Sequence, residues 1–367
     1  MSKLLKKFAY ADMGVILSVT SLCIISLISL YQLSQNGISA SLTSGYSRRA
    51  GIIQAASVLA GLFGGGFCIL AGSGFIRKAC LPVFFITIIL SVLTLTPLGV
   101  TVADDRAWLR LGTFSIQPSE LMKAAMIPAL AFSLTLQRSR VLRYLLFACF
   151  SLCACTVVYL QRDIGSLLIF AIIILYMLFS AGTSKRLWAT GVLLSPIAAF
   201  AVWRFVLGND QRSRILSALD PSRDPYGAGY QQLSAKNAIT SGGLTGRLSD
   251  SSRSFVYVAS SHNDFLLSFI AQLFGTVGIA AVCLLIVLLL QRLMKTDTSQ
   301  GEFASFIRVG AFALFAGEAI LNIGMNLSVL PVIGIPLPFV SAGGTAMAAG
   351  LTLIGAALSA PGKGKAR

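Results

Sequence analysis

The sequence has little charge for its length and few of the side chains on which most enzyme centres depend. Asp, Glu, Lys and Arg make up 11% of its 367 residues, there is 1 histidine, and 56% of the residues are hydrophobic. A charged side chain at the centre of a bilayer costs at least ~2.5 to 3.5 kcal/mol. This composition therefore argues against a water-soluble protein and predicts an integral membrane protein. The 7 cysteines contain no CxxC pair and lie in or beside apolar runs, which predicts small buried side chains.

Acidic residues are much scarcer than basic ones, 13 against 29, which gives a net charge of +16. In a soluble protein this excess would suggest nucleic-acid binding, but no basic patch is interleaved with aromatic residues, so we predict no nucleic-acid partner. Basic residues instead cluster in alternate short connections, as the positive-inside rule requires. The clusters lie at 3–7, 77–78, 138–143, 185–186, 292–295 and 363–367. This alternation predicts that both termini are cytoplasmic.

The apolar residues form stretches long enough to cross a membrane, for which a helix needs about 20 residues. These stretches lie at 12–33, 51–73, 79–98, 119–136, 142–160, 164–181, 187–206, 264–291, 303–330 and 339–360. The sequence therefore predicts an all-α polytopic membrane protein of about ten transmembrane helices, forming a single domain over 1–367. Between the seventh and eighth helices, 207–263 is expected to be a large extracytoplasmic loop. Its length marks it as functional or disordered.

Charged residues also occur at the edges of the apolar stretches. Glu120 and Lys123 are three residues apart on a predicted helix, so they share a face and can pair inside the membrane. Such a pair can orient helices without touching a substrate, or it can line a cavity. Asp163, between two apolar stretches, is either a solvated turn residue or part of a polar cavity.

Three polar segments near the predicted outward face could contact a ligand. The Gly-rich stretch of the long loop contains Arg247, which suits phosphate, although ordinary turn chemistry explains such a loop taken alone. Asp264 opens an apolar stretch, where it can serve as a helix cap or as a general base at the mouth of a cavity. The run from Asn322 to Gly344 is dense in Pro and Gly, and irregular backbone at membrane depth is tolerated only when it is buried or lines a cavity.

In order and spacing, these motifs resemble the SEDS family (shape, elongation, division and sporulation), which includes RodA and FtsW. The resemblance covers residues from about 10 to 360. Its most specific parts are Gln117–Lys123, Gly227–Gln231 with Ser241–Gly243, His262–Phe265 with Gly275–Gly278, and Asn322–Gly344.

The resemblance implies a peptidoglycan glycosyltransferase of the bacterial cytoplasmic membrane, with its active site facing outward. Such an enzyme joins lipid II to a growing glycan, releases undecaprenyl pyrophosphate and works with a class B penicillin-binding protein. We hypothesise an inverting transfer, with a divalent cation (Mg²⁺ or Mn²⁺) as the one cofactor considered. The family's essential aspartate falls on Asp264, which is the predicted catalytic base. The predicted substrate-binding residues are Arg106, Glu120, Lys123, Asp163, Arg247, His262, Asn322 and Ser341.

The chain also departs from the family pattern. Ala259-Ser260 stands where the family usually has Pro-Glu, and Gln272-Leu273 stands where it usually has Glu-Glu. These departures leave room for a weakened homologue that acts as a scaffold for elongation or division proteins. A second alternative is a transporter of the lipid-linked precursor, because intramembrane charges and broken helices suit alternating access.

Overall fold

The computed structural model describes residues 12–35, 44–102, 105–112, 114–220, 227–247, 255–295 and 301–359. Most of these residues are helical. In chain order the helices are α1 (Met13–Gln35), α2 (Ser44–Ala71), α3 (Ser73–Leu93), α4 (Pro118–Leu134), α5 (Arg140–Leu160), α6 (Ile164–Ser180), α7 (Lys185–Ala201), α8 (Asn209–Leu219), α9 (Ala228–Gly242), α10 (Leu266–Met294), α11 (Glu302–Asn326) and α12 (Gly344–Ala357). Helix α7 continues into a π-helical turn, Val202–Val206.

Each of the ten predicted apolar stretches overlaps one of these helices, which confirms a polytopic helical membrane protein. Within the described residues, 7 helices are long and apolar enough to cross a membrane: α1, α2, α3, α5, α7 together with its π-helical turn, α10 and α11. Helices α4 and α6 have 17 residues and α12 has 14. The number of ten crossings stays a prediction, because those three helices are shorter than the bilayer core usually requires.

Helices α4 and α11 form the centre of the bundle. Helix α4 packs against α3, α5, α6, α11 and α12, and α11 packs against α6 and α10 as well. Nearly the whole surface of α4 is buried, including its polar residues Ser119, Glu120 and Lys123. In contrast, the side chains over 189–197 of α7 are exposed wherever they are described. Polar groups on α4 and α11 are therefore held inside the protein, whereas α7 offers its apolar surface to lipid.

Helices α2 and α12 approach each other through small residues. A side chain at Gly355 would overlap the backbone of Gly65, and a side chain at Gly64 would overlap Thr352. Small residues let helix backbones approach closely in a membrane, where dispersion contacts rather than water exclusion hold helices together. This contact fixes α12 beside α2 and so fixes the irregular segment that precedes α12.

The connection between the third and fourth predicted apolar stretches, 99–118, contains regular structure. It forms a three-stranded antiparallel sheet of β1 (Gly99–Val102), β2 (Asp105–Leu111) and β3 (Phe114–Ile116), so the chain is not entirely α-helical. In β2, Ala107 and Leu109 are buried whereas Arg106 and Arg110 are exposed. This alternation has the period of two that a half-buried strand requires.

The predicted long loop 207–263 also contains regular structure. Helices α8 and α9 lie within it, and α9 packs against α10. After α9, the chain approaches α10 so closely that side chains at Gly246 or Gly275 would overlap backbone atoms, and both glycines have positive φ. Gly275 interrupts α10 with φ 67° and ψ −162°. The described part of this region therefore folds against α10 and is not merely an irregular connection.

The ends of the described chain lie at one end of the bundle. Asp12 lies 3.8 Å from Arg292, and Arg308 donates to the carbonyls of both Ala357 and Lys295. The opposite end carries β1–β3, α8, α9 and the segments 161–163, 259–265 and 327–343. We call it the Asp264 end.

Candidate active site

Three charged residues form a buried ion cluster between α4 and α11. The Lys123 Nζ lies 2.8 Å from Glu120 Oε1 and 3.0 Å from Glu318 Oε1. The pairing of Glu120 with Lys123 was predicted from their spacing and is present. The second carboxylate, Glu318, was not predicted as a partner of this pair. With Lys123 only 2% exposed, the cluster is an internal feature of the bundle.

Asp163 joins two helices at the Asp264 end. Its Oδ1 accepts from the backbone N–H of Ser166 at 2.8 Å and so caps α6. Its Oδ2 accepts from Ser119 Oγ at 3.0 Å and from Gln117 Nε2 at 3.3 Å. Asp163 is buried, so the alternative of a solvated turn residue is wrong. Its carboxylate holds the beginning of α4 against the beginning of α6.

Asp264 is half-buried and lies two residues before α10, outside the membrane-spanning helix. Its main-chain carbonyl accepts from Asn322 Nδ2 at 2.9 Å and from Asn326 Nδ2 at 3.0 Å. Its carboxylate faces the Pro- and Gly-rich segment: a Cβ placed on Gly334 would lie 3.7 Å from Oδ2. Asp264 does not cap α10, whose N-cap is Phe265, so the alternative of a simple cap is wrong.

The electrostatic surroundings of Asp264 favour its protonated form. Burial and the negative charge of Glu120 raise the pKa of Asp264 to about 6, and the positive charge of Arg214 on α8 opposes this rise. A carboxyl group with a pKa near neutrality can accept a proton and release it again at physiological pH. Arg214 was not among the predicted site residues, because the spacing does not reveal that α8 places it near Asp264.

His262 and Ser341 lie in two chain segments that meet beside Asp264. The His262 carbonyl accepts from the backbone N–H of Ala342 at 3.0 Å, and burial lowers the pKa of the His262 imidazole. The Ser341 Oγ accepts from the backbone N–H of Leu337 at 2.9 Å, and its carbonyl accepts from Gln54 Nε2 at 3.0 Å. The two residues therefore connect the turn before α10 to the segment before α12.

The two arginines predicted to bind substrate form hydrogen bonds to main-chain carbonyls at the Asp264 end. Arg106, on β2, donates from Nη2 to the Thr96 carbonyl at 3.0 Å, and its side chain is exposed. The Arg247 backbone N–H donates to the Gln272 carbonyl at 2.9 Å, and its guanidinium reaches the Ser241 carbonyl at 3.4 Å. Contact of Arg106, Arg247 or the other predicted residues with a substrate stays a prediction.

The family that matches this chain is the one that its motifs resemble. Residues 13–362 match the FtsW/RodA/SpoVE family of cell cycle proteins. The chain belongs to this family. A probable peptidoglycan glycosyltransferase FtsW of Trichlorobacter lovleyi is 31% identical over 291 residues, covering 77% of this chain and 76% of that protein. The peptidoglycan glycosyltransferase MrdB of Escherichia coli is 33% identical over 278 residues, covering 72% and 73%.

Two solved structures share the fold of this chain. A chain of a peptidoglycan synthase complex superposes with a TM-score of 0.77 at 26% identity, covering 95% of this chain and 96% of that chain. The rod shape determining protein RodA of Thermus thermophilus superposes with a TM-score of 0.67 at 22% identity, covering 95% of each chain. The second likeness concerns the fold alone.

One residue that departs from the family pattern forms two hydrogen bonds to the main chain. Gln272, where the family usually has Glu, donates from Nε2 to the Val256 carbonyl at 3.1 Å. Its Oε1 accepts from the Val256 backbone N–H at 2.7 Å. An ionised glutamate could accept the second hydrogen bond but could not donate the first. The glutamine therefore fixes the chain that leads to Asp264.

Proposed function

We propose that this chain is a peptidoglycan glycosyltransferase that polymerises lipid II, with Asp264 as the general base. The family and the two named relatives support the reaction class. The observation that carries the assignment of the base is the environment of Asp264: its backbone is fixed by two carboxamides, whereas burial raises the pKa of its carboxyl group to about 6.

In the proposed step, the 4-hydroxyl oxygen of the acceptor sugar attacks the anomeric carbon of the donor and forms the new glycosidic bond. The bond between that carbon and the diphosphate breaks, and undecaprenyl pyrophosphate leaves with the electron pair. The hydroxyl proton passes to the Asp264 carboxylate. Attack opposite the leaving group inverts the anomeric configuration, and general-base catalysis of this kind contributes typically ~10² to 10⁴ in rate.

Cationic and apolar surfaces near this end suit the two parts of a lipid-linked sugar. Arg106, Arg214 and Arg247 supply positive charge for a diphosphate. Between α5, α6 and the end of α7 lies an apolar cavity of about 450 Å³. Its lining includes Tyr159 and Leu167. An apolar cleft open to the membrane is where a polyprenyl chain would leave the site.

For the divalent cation that we hypothesised as a cofactor, the described residues show no set of ligands. Among the described residues, no group of three or more His, Cys, Asp or Glu side chains could hold a metal ion. Glu120 is paired with Lys123, and Asp163 accepts three hydrogen bonds, so neither presents a free carboxylate. The described residues therefore provide no resident cation site, and no step of the proposed transfer depends on one.

The proposal places the Asp264 end on the outer face of the bacterial cytoplasmic membrane and both termini inside, as the basic clusters favour. It also includes a class B penicillin-binding protein as partner. This part is supported by the likeness to a chain of a peptidoglycan synthase complex. Accessibility of a single cysteine placed at Lys236, which is exposed on α9, to a membrane-impermeant maleimide in intact cells tests the orientation.

The buried ion cluster favours the second candidate, a transporter of the lipid-linked precursor. Glu120, Lys123 and Glu318 lie within helices, and intramembrane charges are frequent along transport pathways. The two functions differ in what they need. A polymerase makes glycan in detergent without any compartment, whereas a transporter requires sealed vesicles.

The test is incubation of the purified protein in detergent with labelled lipid II, with and without the partner, followed by separation of the glycan products. We expect long strands from the wild type and none above background from Asp264→Asn. Asp12→Asn is the matched control, because Asp12 also precedes a membrane helix but lies at the opposite end of the bundle. An Asp264→Asn protein that polymerises at the wild-type rate would end the assignment of the base and would favour the scaffold alternative if it also restored growth.

A further inference from the structure

Two carboxamides from one helix hold the main-chain carbonyl of Asp264. Asn322 and Asn326 donate to it at 2.9 and 3.0 Å, and both side chains are 0% exposed. They are four residues apart on α11 and therefore lie on the same face. A carbonyl oxygen has two lone pairs, so these two donors saturate it. We call this arrangement of Asn322, Asn326 and the Asp264 carbonyl the carbonyl clamp.

The carbonyl clamp is itself fixed by the segment before α12, by the first turn of α10 and by a contact between its two carboxamides. Asn322 Nδ2 also donates to the Ile335 carbonyl at 2.8 Å, which ties it to the segment before α12. Asn326 Oδ1 accepts from the backbone N–H and the hydroxyl of Ser268, at 3.2 and 2.7 Å, in the first turn of α10. Asn326 Nδ2 also lies 3.1 Å from Asn322 Oδ1. Neither carboxamide can turn without breaking several buried hydrogen bonds.

This arrangement fixes the backbone of Asp264 and leaves its carboxylate for other contacts. Among the described residues, no hydrogen-bond donor engages the carboxylate, which faces Gly334. One turn before Asn322, the same face of α11 carries Glu318 of the buried ion cluster. A single helical face thus connects the ion cluster to the backbone of the proposed base.

We propose that Asn322 and Asn326 are positioning residues, which hold the Asp264 carboxylate where it can reach the acceptor hydroxyl. This inference rests on the proposed function. It assigns Asn322 a role through Asp264 in place of the substrate contact expected from its motif. A displacement of about 1 Å at a reacting group can reduce the rate by about 10²-fold, so loss of a clamp donor affects the chemical step.

A purely structural role for the two asparagines predicts a different result. Removing a buried donor would then lower stability and yield, but the protein that remains folded would have the wild-type turnover. A substrate contact would instead raise KM and leave kcat unchanged. Kinetics on the folded fraction therefore separate the three roles.

The experiment compares Asn322→Ala and Asn326→Ala with Arg308→Met as a matched control. Arg308 is buried on the same helix and also donates to two main-chain carbonyls, but it lies at the opposite end of the bundle. We expect both alanine variants to lower kcat for lipid II by about 10²-fold with KM changed less than about threefold. The control should lose stability but keep its kcat. Asn326→Gln, which retains the donor, should recover part of the lost turnover.

A second readout does not depend on activity. A hydrophobic carbodiimide modifies protonated carboxyl groups, so the pH dependence of Asp264 modification, followed by peptide mass spectrometry, reports its ionisation. We expect a midpoint near pH 6 for the wild type, from the raised pKa of Asp264. The midpoint should fall in both alanine variants, because the released carboxylate becomes more hydrated. It should not fall in Arg308→Met.

Unchanged kcat in both alanine variants, a rise in KM alone, or a wild-type modification midpoint would each overturn the positioning role. A wild type that makes no glycan would count against the proposed function. In that case the modification arm still tests whether the carbonyl clamp sets the environment of Asp264.

Discussion

The Lys123 ammonium lies 3.0 Å from Glu318 Oε1, although 195 residues separate the two in the chain. Glu120 lies on the other side of the same ammonium at 2.8 Å. All three side chains are buried between α4 and α11, so one cation is shared by two carboxylates. A buried charge left without its partner destabilises a protein far more than an intact pair stabilises it. Lys123 is therefore the residue on which the cluster depends.

Lys123→Met should destabilise the protein by ~3 to 5 kcal/mol, because it leaves two carboxylates facing each other without a cation. The triple variant Lys123→Met, Glu120→Gln, Glu318→Gln should recover most of that loss, since it removes all three charges. Thermal unfolding in detergent measures both effects. Lys295→Met is the control, because that side chain is exposed. A Lys123→Met protein as stable as the wild type would contradict this account of the cluster.

The sequence predicts contacts within one helix better than contacts between helices. The pairing of Glu120 with Lys123 follows from their spacing, and the one face shared by Glu318, Asn322 and Asn326 could have been found in the same way. The approach of α11 to α4 and to Asp264 could not, because it depends on how distant apolar helices pack. The sheet was not predicted although β2 alternates, because its strands are short and lie between two long apolar stretches.

The acidic limb of the pH dependence of glycan synthesis should have its midpoint near pH 6. A general base works in its ionised form, and burial together with Glu120 raises the pKa of Asp264 to about 6. The rate should therefore fall about tenfold per pH unit below that value. Initial rates at saturating lipid II measure the profile.

Removing Arg214 should move this limb to higher pH. The positive charge of Arg214 lowers the pKa of Asp264, so Arg214→Gln should raise it further. Arg292→Gln is the control, because Arg292 pairs with Asp12 at the opposite end of the bundle. A profile in Arg214→Gln that is identical to the wild type would show that α8 does not act on Asp264.

Asp264→Asn should increase stability at alkaline pH while it abolishes synthesis. The pKa of Asp264 is raised in the folded protein from its ordinary value of 3.8 to about 6. Below the ordinary value the group is protonated in both the folded and unfolded chains and costs nothing. Above about 6 it is ionised in both, and the folded state bears the full cost, on the order of 1 to 3 kcal/mol.

Thermal unfolding at about pH 8 and at about pH 4 checks this sign. Asp264→Asn should unfold at a higher temperature than the wild type at the alkaline value and show a smaller difference at the acidic one. Asp12→Asn should show no such gain. An Asp264→Asn protein less stable than the wild type at both values would mean that the ionised carboxylate is stabilised by its surroundings, contrary to the raised pKa.

Gln272→Glu, which restores the residue that the family usually has, should lower stability at alkaline pH. The ionised carboxylate cannot donate to the Val256 carbonyl, and a partly buried acceptor left without its donor costs on the order of 1 kcal/mol. At acidic pH the protonated carboxyl can donate again, so the loss should shrink as pH falls. Thermal unfolding across that range measures the effect, and an equal loss at every pH would contradict it.

The synthesis rate of the same variant distinguishes a structural substitution from a lost catalytic acid. Because both Gln272 hydrogen bonds go to the main chain of Val256, we expect Gln272→Glu to be no faster than the wild type per folded molecule. Gln161→Glu is the control, since Gln161 is also buried and donates to a main-chain carbonyl, that of Ser91. A large gain in rate confined to Gln272→Glu would instead mean that the chain has lost an acid its relatives use, and it would favour the weakened scaffold over the polymerase.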